Sequence, residues 1–403
     1  MAKRSGLANA AFVGGYDLSS DISAVDRIGG GPAALEQTAI DKSAYERIGG
    51  LRAGEISFTT WFDDQTEAAA VNLTSSSVAD PTLITAAAVH GLDTGDVVVI
   101  SGHTGSTPDI NGIYTVIVLS TTTFTIPIAV TVGGGATGTC TRMGGEHEAL
   151  SALPMTDVHM MYCLGTTLGY PAACMVAKQL NYDGSRGADG SLSFSAANQS
   201  NGYGLEWCKL LTAGLRTDIA ATAGTGVDGG AQAAAVNITS SSVANPTVIT
   251  TATAHGLTSG DGIVIAGHTG STPDINNAYI VTVLTATTYT IPVNVTVGGT
   301  GGTMTLITTR FGLSAYLQVV FFSGTNVTIK IQESLDDGVT DAYADVTGGG
   351  FTQVIASPTT ERIITGLTLV VERYLRVTTT TVGGVTAVVF AVAYNRFLTT
   401  PAF

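Results

Sequence analysis

The feature that most constrains the fold is an internal repeat whose two copies are not adjacent. The segment from Ala68 to Val132 recurs from Ala233 to Val297 with a constant offset of 165 residues, the distance from His90 to His255. Repeats of a solenoid follow one another directly, because each stacks on the next. Copies separated by a long unrelated segment instead indicate two small modules placed within a larger protein.

Differences between the copies predict which positions of the module are buried. Four pairs of positions exchange one apolar or aromatic side chain for another, as core positions of fixed volume allow: Leu73/Ile238, Leu83/Val248, Ile128/Val293 and Phe124/Tyr289. Residues 114–118 are rich in β-branched and aromatic side chains, and Gly, Asn and Asp precede them, which is typical of a strand. Each copy is therefore predicted to be a small all-β module.

Two histidines and two aspartates in each copy raise the question of a metal site. In copy one they are His90, Asp96, His103 and Asp109. No HxH or HxxxH spacing and no cysteine ligand accompanies them, so the sequence favours turns in which Gly supplies positive φ and Asp or Asn caps its own backbone. We expect no metal.

The pattern HGL-x-x-GD followed by GHTGSTPDIN resembles a small β-barrel module found as repeats in bacteriophage tail proteins. That module is named after the first catalytic cysteine half-domain (FCCH) of ubiquitin-activating enzymes, and the resemblance implies a fold rather than a chemistry. Copy one has a single cysteine, Cys140, and Met304 stands at the corresponding place in copy two. A shared thiol catalyst is therefore excluded.

Composition places the whole chain among β-rich, low-charge structural proteins. Its 403 residues include 50 glycines, only 12% are charged, and the net charge is −14. Thr, Gly and Pro interrupt every long apolar stretch, so no membrane span is expected. The 17 basic residues are too few and too scattered to form a DNA-binding surface. The excess of acidic residues instead favours a surface that repels phosphates, so that DNA could move along it without being bound.

Removing the two copies leaves flanks that read as one domain. Residues 1–66 and 146–230 together have an ordinary domain size, so residues 67–145 are predicted to be module one, inserted in a loop of that domain. Residues 231–307 are module two, and residues 308–403 a C-terminal β-sandwich. The chain must then enter module one near where it leaves, and we expect both modules to project outward with little contact to the rest.

Five segments of the joined domain resemble, in order, the major tail tube protein of long-tailed, siphovirus-type bacteriophages. They are VGGYDLSSDI from Val13, TAIDKSAYERIGGLRAGEISF from Thr38, ALPMTDVHMMY from Ala152, AKQLNYDGSRGADGSLSFS from Ala177 and NGYGLEWCKLLTAG from Asn201. The resemblance implies a β-sandwich that pairs strands with its neighbours into hexameric rings, which stack into a tube for genome ejection. It also implies a short helix, expected between Asp41 and Ile48.

That resemblance also implies the partners and the location. The partners would be other copies of the chain and the tape measure, distal tail and terminator proteins, while viral DNA passes through without specific binding. The protein would be made in the host cytoplasm and reside in the virion tail. Candidate inter-subunit contacts, proposed from the residues, are Asp183, Arg186 and Asp189 at a hairpin tip, with Arg47 and Arg52 on the first loop. Solvated turns are the alternative.

The last segment has the clearest strand alternation, as in residues 327–332. The order GLSAYLQV, VTIKIQES, ERYLRV resembles jelly-roll domains of phage tail proteins, some of which look like carbohydrate-binding modules. Tyr343, Phe351 and Tyr394 are then candidate surface aromatics for a host glycan, with core packing as the alternative. On that basis the chain could instead be a glycan-binding adhesin or tail fibre component.

Enzyme motifs are missing from the sequence. It has no G-x-S-x-G elbow, no HExxH and no phosphate loop, so we expect no catalytic residue and no cofactor. Because glycosidases need only two carboxylates, a polysaccharide-cleaving tail enzyme stays a third alternative.

Overall fold

The protein is built almost wholly from antiparallel strands, with 53% of its residues in strands and 1% in helix. A computed structural model describes residues 6, 8–38, 43–153, 156–229, 234–306, 311–334, 336–339, 341–366, 369, 371–381 and 384–397. The predicted mainly β class is confirmed.

The elements fall into five groups along the chain. Four strands precede module one: β1 (Ala10–Val13), β2 (Tyr16–Asp17), β3 (Ile22–Glu36) and β4 (Arg47–Trp61). Module one contains β5 (Val71–Ser76), β6 (Thr82–Ala86), β7 (Val97–Ser101), β8 (Gly112–Thr115), β9 (Ile117–Ser120), β10 (Thr123–Ile126) and β11 (Thr139–Arg142). After it come α1 (Glu146–Leu150), β12 (Val158–Cys163), β13 (Pro171–Gln179), β14 (Asp183–Arg186), β15 (Leu192–Ser200), β16 (Glu206–Leu210), β17 (Arg216–Asp218) and β18 (Val227–Asp228).

The remaining strands form module two and the C-terminal segment. Module two contains β19 (Val236–Ser241), β20 (Thr247–Thr251), β21 (Gly262–Ala266), β22 (Ala278–Ile280), β23 (Thr282–Thr285), β24 (Thr288–Ile291) and β25 (Thr303–Leu306). The C-terminal segment contains β26 (Phe311–Gly324), β27 (Thr328–Ser334), β28 (Ala344–Gly350), β29 (Thr359–Ile364), β30 (Tyr374–Thr380) and β31 (Val385–Phe397). We call all strands outside the two modules the body.

Each module is a nearly closed, seven-stranded antiparallel barrel, and the two have the same topology. The strand order is β8-β7-β11-β5-β6-β10-β9 in module one and β22-β21-β25-β19-β20-β24-β23 in module two. Two of the four exchanged pairs are buried in the barrel cores as predicted, Leu73/Ile238 and Phe124/Tyr289. The other two pairs, Leu83/Val248 and Ile128/Val293, are only half-buried. The prediction of two small β-modules is confirmed.

Module one enters and leaves the body at one place, as expected for an inserted unit. The backbone N–H of Gly145 donates to the carbonyl of Gln65 at 2.8 Å, and that of Ala68 donates to the carbonyl of Arg142 at 3.1 Å. The two chain segments therefore run side by side where the module is inserted.

The expectation that the modules contact the body little is wrong for module one. Val99 of β7 is fully buried against Phe321, Ala387 and Val389 of the body, with Met143 packed beside them. The physical reason lies in residues 97–100, a continuous apolar run: alternate side chains fill the barrel, and Val99, on its outer face, needs a second cover. Module one is docked on the body.

The larger of the two sheets of the body has 13 strands and crosses the boundary predicted near residue 308. Strand β31 pairs with β16 through Lys209↔Tyr394 and with β17 through Thr217↔Val389, and its other edge pairs with β26. One core contains residues from both sides of the boundary: Phe12, Met161, Cys174, Cys208, Tyr316, Ala391 and Ala393. The domain division stays a prediction, but strands on both sides share one sheet and one core.

A second sheet of order β18-β30-β27-β28 covers the other face of β26 and β31, and together they form a sandwich. Strand β27 buries Ile329 and Ile331 against Val377, Phe390 and neighbouring side chains, while Lys330 between them stays accessible. The alternation seen in the sequence therefore marks the inner face of this sandwich.

A buried polar cluster ties β16 to β26 and β29. Both carboxylate oxygens of Glu206 are used: Oε1 accepts from Ser314 Oγ at 3.0 Å and Arg362 Nη2 at 3.2 Å, and Oε2 accepts from Arg362 Nε at 3.0 Å and from the Tyr316 hydroxyl. The Arg362 guanidinium also lies 3.8 Å from the centre of the Tyr203 ring. This cluster fixes the C-terminal strands to the rest of the body.

The helix expected between Asp41 and Ile48 is wrong for the described part of that segment. Residues 43–46 are not helical, Arg47 begins β4, and Asp41 lies outside the described residues. Arg47 and Ile48 pair with Glu36 and Leu35 of β3, which satisfies the backbone of an extended strand, and Gly49 and Gly50 directly after them disfavour a helix. The one helix among the described residues is α1, which directly follows module one.

Candidate functional site

The most conspicuous surface of the body is the long β3–β4 hairpin. Only residues 55–61 of β4 pair with β15, and residues 47–54 pair with β3 alone. On this outer part Leu51 is 90% exposed and Tyr45 71% exposed. An isolated two-stranded ribbon is marginally stable in water, so an outer half with exposed apolar side chains is typical of a surface that another protein covers.

Close backbone packing holds the hairpin where it leaves the sheet. A Cβ on Gly54 would lie 2.5 Å from the backbone nitrogen of Leu205, and the same Cβ would clash with the Leu205 side chain. Glycine is therefore required at position 54. Just outside this point, Arg52 and Arg27 line an open groove of about 470 Å³ with Pro32 and Glu55, and Arg27 forms an ion pair with Glu55 at 3.3 Å.

The predicted contact residues lie at opposite ends of one strand pair. Arg47 and Arg52 are exposed near the free end of β4. Strand β15 runs antiparallel to β4 with Ser193↔Trp61, so the β14–β15 tip lies beside the other end of β4. With 15 residues in β4, the two tips are about 50 Å apart. The structure does not bring the two predicted sets together within one copy.

The second tip holds Asp183, Arg186 and Asp189, all exposed. Asp183 Oδ2 accepts from Asn181 Nδ2 at 2.5 Å, and Asp189 Oδ1 accepts from the backbone N–H and hydroxyl of Ser191. These hydrogen bonds from Ser191 lower the pKa of Asp189. The aspartates thus shape the turn, as the solvated-turn alternative requires, and they also keep it negatively charged.

An aromatic cluster that the sequence did not reveal joins the β14–β15 hairpin to the point where module one is inserted. Tyr182 stacks on Phe194 with ring centroids 4.4 Å apart, and Phe62 lies 5.3 Å from both Phe194 and His147. Buried Glu146 accepts from the Tyr182 hydroxyl at 2.7 Å and from the backbone N–H of Asp63 at 3.3 Å. The residues of the cluster are far apart in sequence, because some precede module one and the others follow it.

Next to this cluster, a cavity of about 400 Å³ lies between module one and the body. Its walls carry Asp17, Asp21, Asp63 and Asp96, with Arg142 3.9 Å from Asp96. Burial raises the pKa of Asp21 to about 6, and the neighbouring carboxylates add to the shift. The cavity is unsuited to an anion, and the described residues include no group of three or more His, Cys, Asp or Glu side chains arranged to hold a metal ion.

Two of the three predicted sugar-binding aromatics are in the protein core. Phe351 and Tyr394 are buried between the two sheets of the sandwich. Tyr343 is half-buried; the Arg376 guanidinium lies 3.9 Å from its ring centre, and its hydroxyl donates to Asp337 at 2.5 Å. The placement of Phe351 and Tyr394 as surface aromatics is therefore wrong, because apolar ring faces close the sandwich instead.

Two of the four module histidines, His103 and His268, are buried and hold a loop of their barrel through hydrogen bonds. His103 Nδ1 donates to the carbonyl of Thr137 at 2.8 Å, so its Nε2 accepts from the Ser76 hydroxyl at 3.0 Å, and Ser76 Oγ accepts from the Gly134 N–H at 2.8 Å. His268 and Ser241 form the same network in module two. A Ser–His contact otherwise suggests nucleophilic catalysis, but here both side chains are buried and hold the glycine-rich loop.

We expect the substitution Ser76→Ala to lower the stability of module one by about 1–3 kcal/mol, because it leaves His103 Nε2 and the Gly134 N–H buried without a partner. Ser241→Ala should have an equal effect on module two. Thermal unfolding followed by circular dichroism tests this. Ser120→Ala is the control, since that hydroxyl is exposed and should matter by less than about 0.5 kcal/mol. Equal effects of Ser76→Ala and Ser120→Ala would contradict the conclusion that the hydrogen bonds of Ser76 with His103 and Gly134 stabilise the module.

A scan against protein-family models and a search of curated proteins each gave no match. Among the described residues, no helix combines the length and the apolar character needed to cross a membrane.

Proposed function

We propose that the chain is a structural subunit of a phage tail tube, which assembles through strand pairing into hexameric rings that stack into a conduit for the viral genome. The observation that carries the proposal is the placement of two unlike hairpin tips at opposite ends of one sheet. One tip carries exposed Arg47, Arg52 and apolar side chains, and the other carries Asp183 and Asp189.

This placement favours head-to-tail stacking over a closed dimer. A two-fold dimer joins a surface to itself, whereas two different surfaces on opposite ends propagate along an axis. Arg47 and Arg52 of one copy would face the aspartates of the next. Charge pairs at such a rim set orientation and register, while burial of Leu51 and Tyr45 supplies most of the favourable free energy.

Unpaired strand edges supply the second direction of assembly. In the described sheet, β3 pairs only with β4 and β29 only with β26, so the outer edge of each offers free backbone groups. Such edges invite pairing with another chain. Lateral pairing between copies would close a ring, and stacking through the tips would extend it.

The net charge of −14 suits a conduit rather than a DNA-binding surface. A wall that repels phosphates lets DNA move through without being held. The proposal places the tape measure, distal tail and terminator proteins as further partners and the virion tail as the location. The adhesin alternative is weakened because Phe351 and Tyr394 are not available to a glycan.

Assembly of hairpin variants tests the proposal. We expect Leu51→Asp combined with Tyr45→Asp to shift the protein from large assemblies to single subunits in sedimentation velocity, because a buried carboxylate would oppose contact at the hairpin. Val339→Asp is the matched control, since Val339 is 80% exposed but lies in a turn of the sandwich. The proposal fails if the wild-type chain stays monomeric at every concentration, or if the hairpin variant assembles as well as the control.

A further inference from the structure

Both tryptophans of the chain are more than half exposed, and one of them lies at the acidic tip of the body. Trp61 ends β4 and is 53% exposed, and Trp207 in β16 is 54% exposed. Trp61 pairs with Ser193 of β15, and the neighbouring Thr60 points into the protein, so the Trp61 ring lies on the outer face of the strand pair. Most tryptophans bury their large ring on folding, so folding does not explain this one.

Two further apolar side chains adjoin Trp61. Phe62 and Leu192 are exposed, and the backbone N–H of Phe62 donates to the carbonyl of Leu192 at 3.1 Å. We call Trp61, Phe62 and Leu192 the tip patch. It lies beside the turn of the β14–β15 hairpin, because Leu192 pairs with Arg186. Exposed apolar side chains that lie together, rather than singly, are typical of an interaction surface.

Neighbouring contacts fix the tip patch in place. The Phe62 ring lies 5.3 Å from the rings of Phe194 and His147. The backbone N–H of Trp61 donates to the carbonyl of Asp21 at 2.8 Å. A surface whose rings and backbone are already held loses little conformational freedom on binding, so the tip patch is suited to receive a partner.

The β3–β4 hairpin exposes a second set of apolar side chains, and it cannot cover the tip patch of its own copy. Leu35, Tyr45 and Leu51 are all exposed on the outer part of the hairpin. Leu51 and Trp61 are separated along one extended strand by about 30 Å. Each surface therefore needs a second molecule to cover it, and a second copy of the chain brings one hairpin for every tip patch.

The two surfaces carry opposite charge at the point where they would meet. On the hairpin, Arg52 has an uncharged residue directly opposite it across the strands, whereas Glu36 and Glu46 offset the charge of Arg47. At the turn of the β14–β15 hairpin, two exposed aspartates outnumber Arg186. An arginine that approaches an acidic turn sets orientation, while the apolar side chains supply most of the affinity.

We propose that the tip patch of one copy receives the β3–β4 hairpin of the next copy, with Trp61 as the central contact. The inference rests on the proposed function and names the surface that covers Tyr45 and Leu51. Trp, Tyr and Arg are enriched among the residues that carry most of the binding energy at protein interfaces, and this contact joins Trp61 to Tyr45 and Arg52. Since each copy offers one hairpin and one tip patch, the contact continues from copy to copy.

Tryptophan fluorescence of the full chain tests the contact. Trp207→Phe leaves Trp61 as the only tryptophan. On assembly its emission should shift to shorter wavelength and its quenching by iodide should fall about threefold, because a covered ring is shielded from water. Trp61→Phe is the control at matched exposure, since it leaves Trp207, whose emission should not shift when that variant is assembled. An unchanged Trp61 emission in assembled protein, or equal shifts of the two reporters, would overturn the proposal.

Cross-linking identifies the occupant of the tip patch. The native cysteines are buried, so introduced thiols report on the surface. In the assembled protein, Leu51→Cys combined with Leu192→Cys should give, with a short bismaleimide, covalent multimers longer than dimers, because each copy joins two neighbours. Val339→Cys combined with Leu192→Cys is the control and should not give such multimers, since Val339 is exposed in a turn of the sandwich. Equal cross-linking of the two variants contradicts the contact.

A glycan is the other ligand that an exposed tryptophan beside hydroxyl groups could hold. Dextran added to dilute, unassembled Trp207→Phe protein should leave the emission of Trp61 unchanged. A saturable shift under these conditions would overturn the proposal in favour of a sugar site.

The outcomes separate this inference from the proposed function. If tubes form while Trp61 stays exposed and the thiols at positions 51 and 192 do not cross-link, the tube stands and only the contact at the tip patch is wrong. If the wild-type chain does not assemble, the proposed function fails as well.

Discussion

Removal of residues 311–403 is expected to leave no soluble, folded protein. The 13 residues of β31 lie between β16 and β26, and the core shared by the two halves of the body contains Tyr316, Ala391 and Ala393 from the removed segment. Without β26 and β31, the remaining side chains of that core, including Phe12 and Cys174, would be exposed to water. Domains are stable by only about 5–15 kcal/mol, and such a loss exceeds that margin.

Expression of the truncated chain, with solubility and circular dichroism as readouts, checks this expectation. The control is the removal of residues 234–306, with a short Gly/Ser linker in their place, because module two has its own core. That variant should keep the thermal transition of the body. A soluble truncated chain with native-like strand content would show that residues 1–66 and 146–230 fold independently, as the sequence alone predicts.

The second large effect is expected at Glu206. Glu206→Ala should destabilise the body by about 3–5 kcal/mol, because it leaves the Arg362 guanidinium buried with its main partner lost. Side-chain exposure of the pair is only 11% for Glu206 and 6% for Arg362. Lys330→Ala breaks an exposed ion pair with Asp345 of similar length, 3.0 Å, and should cost less than about 1 kcal/mol.

Urea unfolding of the two variants measures the difference. If Glu206→Ala and Lys330→Ala have equal midpoints, the cluster around Glu206 does not hold the C-terminal strands to the body. Glu206→Ala combined with Arg362→Leu should recover part of the loss, since removing both charges leaves neither one buried alone.

Local patterns in the sequence predict the modules and the sandwich face, because both depend on neighbouring residues. The exchange of Phe124 for Tyr289 identifies a core position, and the alternation around Ile329 and Ile331 identifies a buried strand face. The sharing of β31 between two segments could not be predicted in this way, since it depends on a pairing between Lys209 and Tyr394 that no local pattern records.

The candidate surface shows the same limit. Charged residues at Arg52 and Asp189 are visible in the sequence, and their exposure agrees with a turn or an interface. Their separation to opposite ends of the sheet follows from the register of β4 with β15, and the aromatic cluster of Phe62, Tyr182 and Phe194 forms only when strands from both sides of module one meet. The sequence does not distinguish the buried Tyr394 from a surface aromatic, because an aromatic ring in a strand is equally typical of a core and of a sugar site.

Electron microscopy of the purified full-length protein tests the central claim most directly. Concentrated wild-type protein in negative stain should show hollow tubes of stacked rings with density projecting outward at the modules, and end-on views should show six-fold rings. The hairpin variant with Leu51→Asp and Tyr45→Asp should show single particles under the same conditions. A wild-type protein that appears only as isolated particles or as solid trimeric fibres would contradict the account.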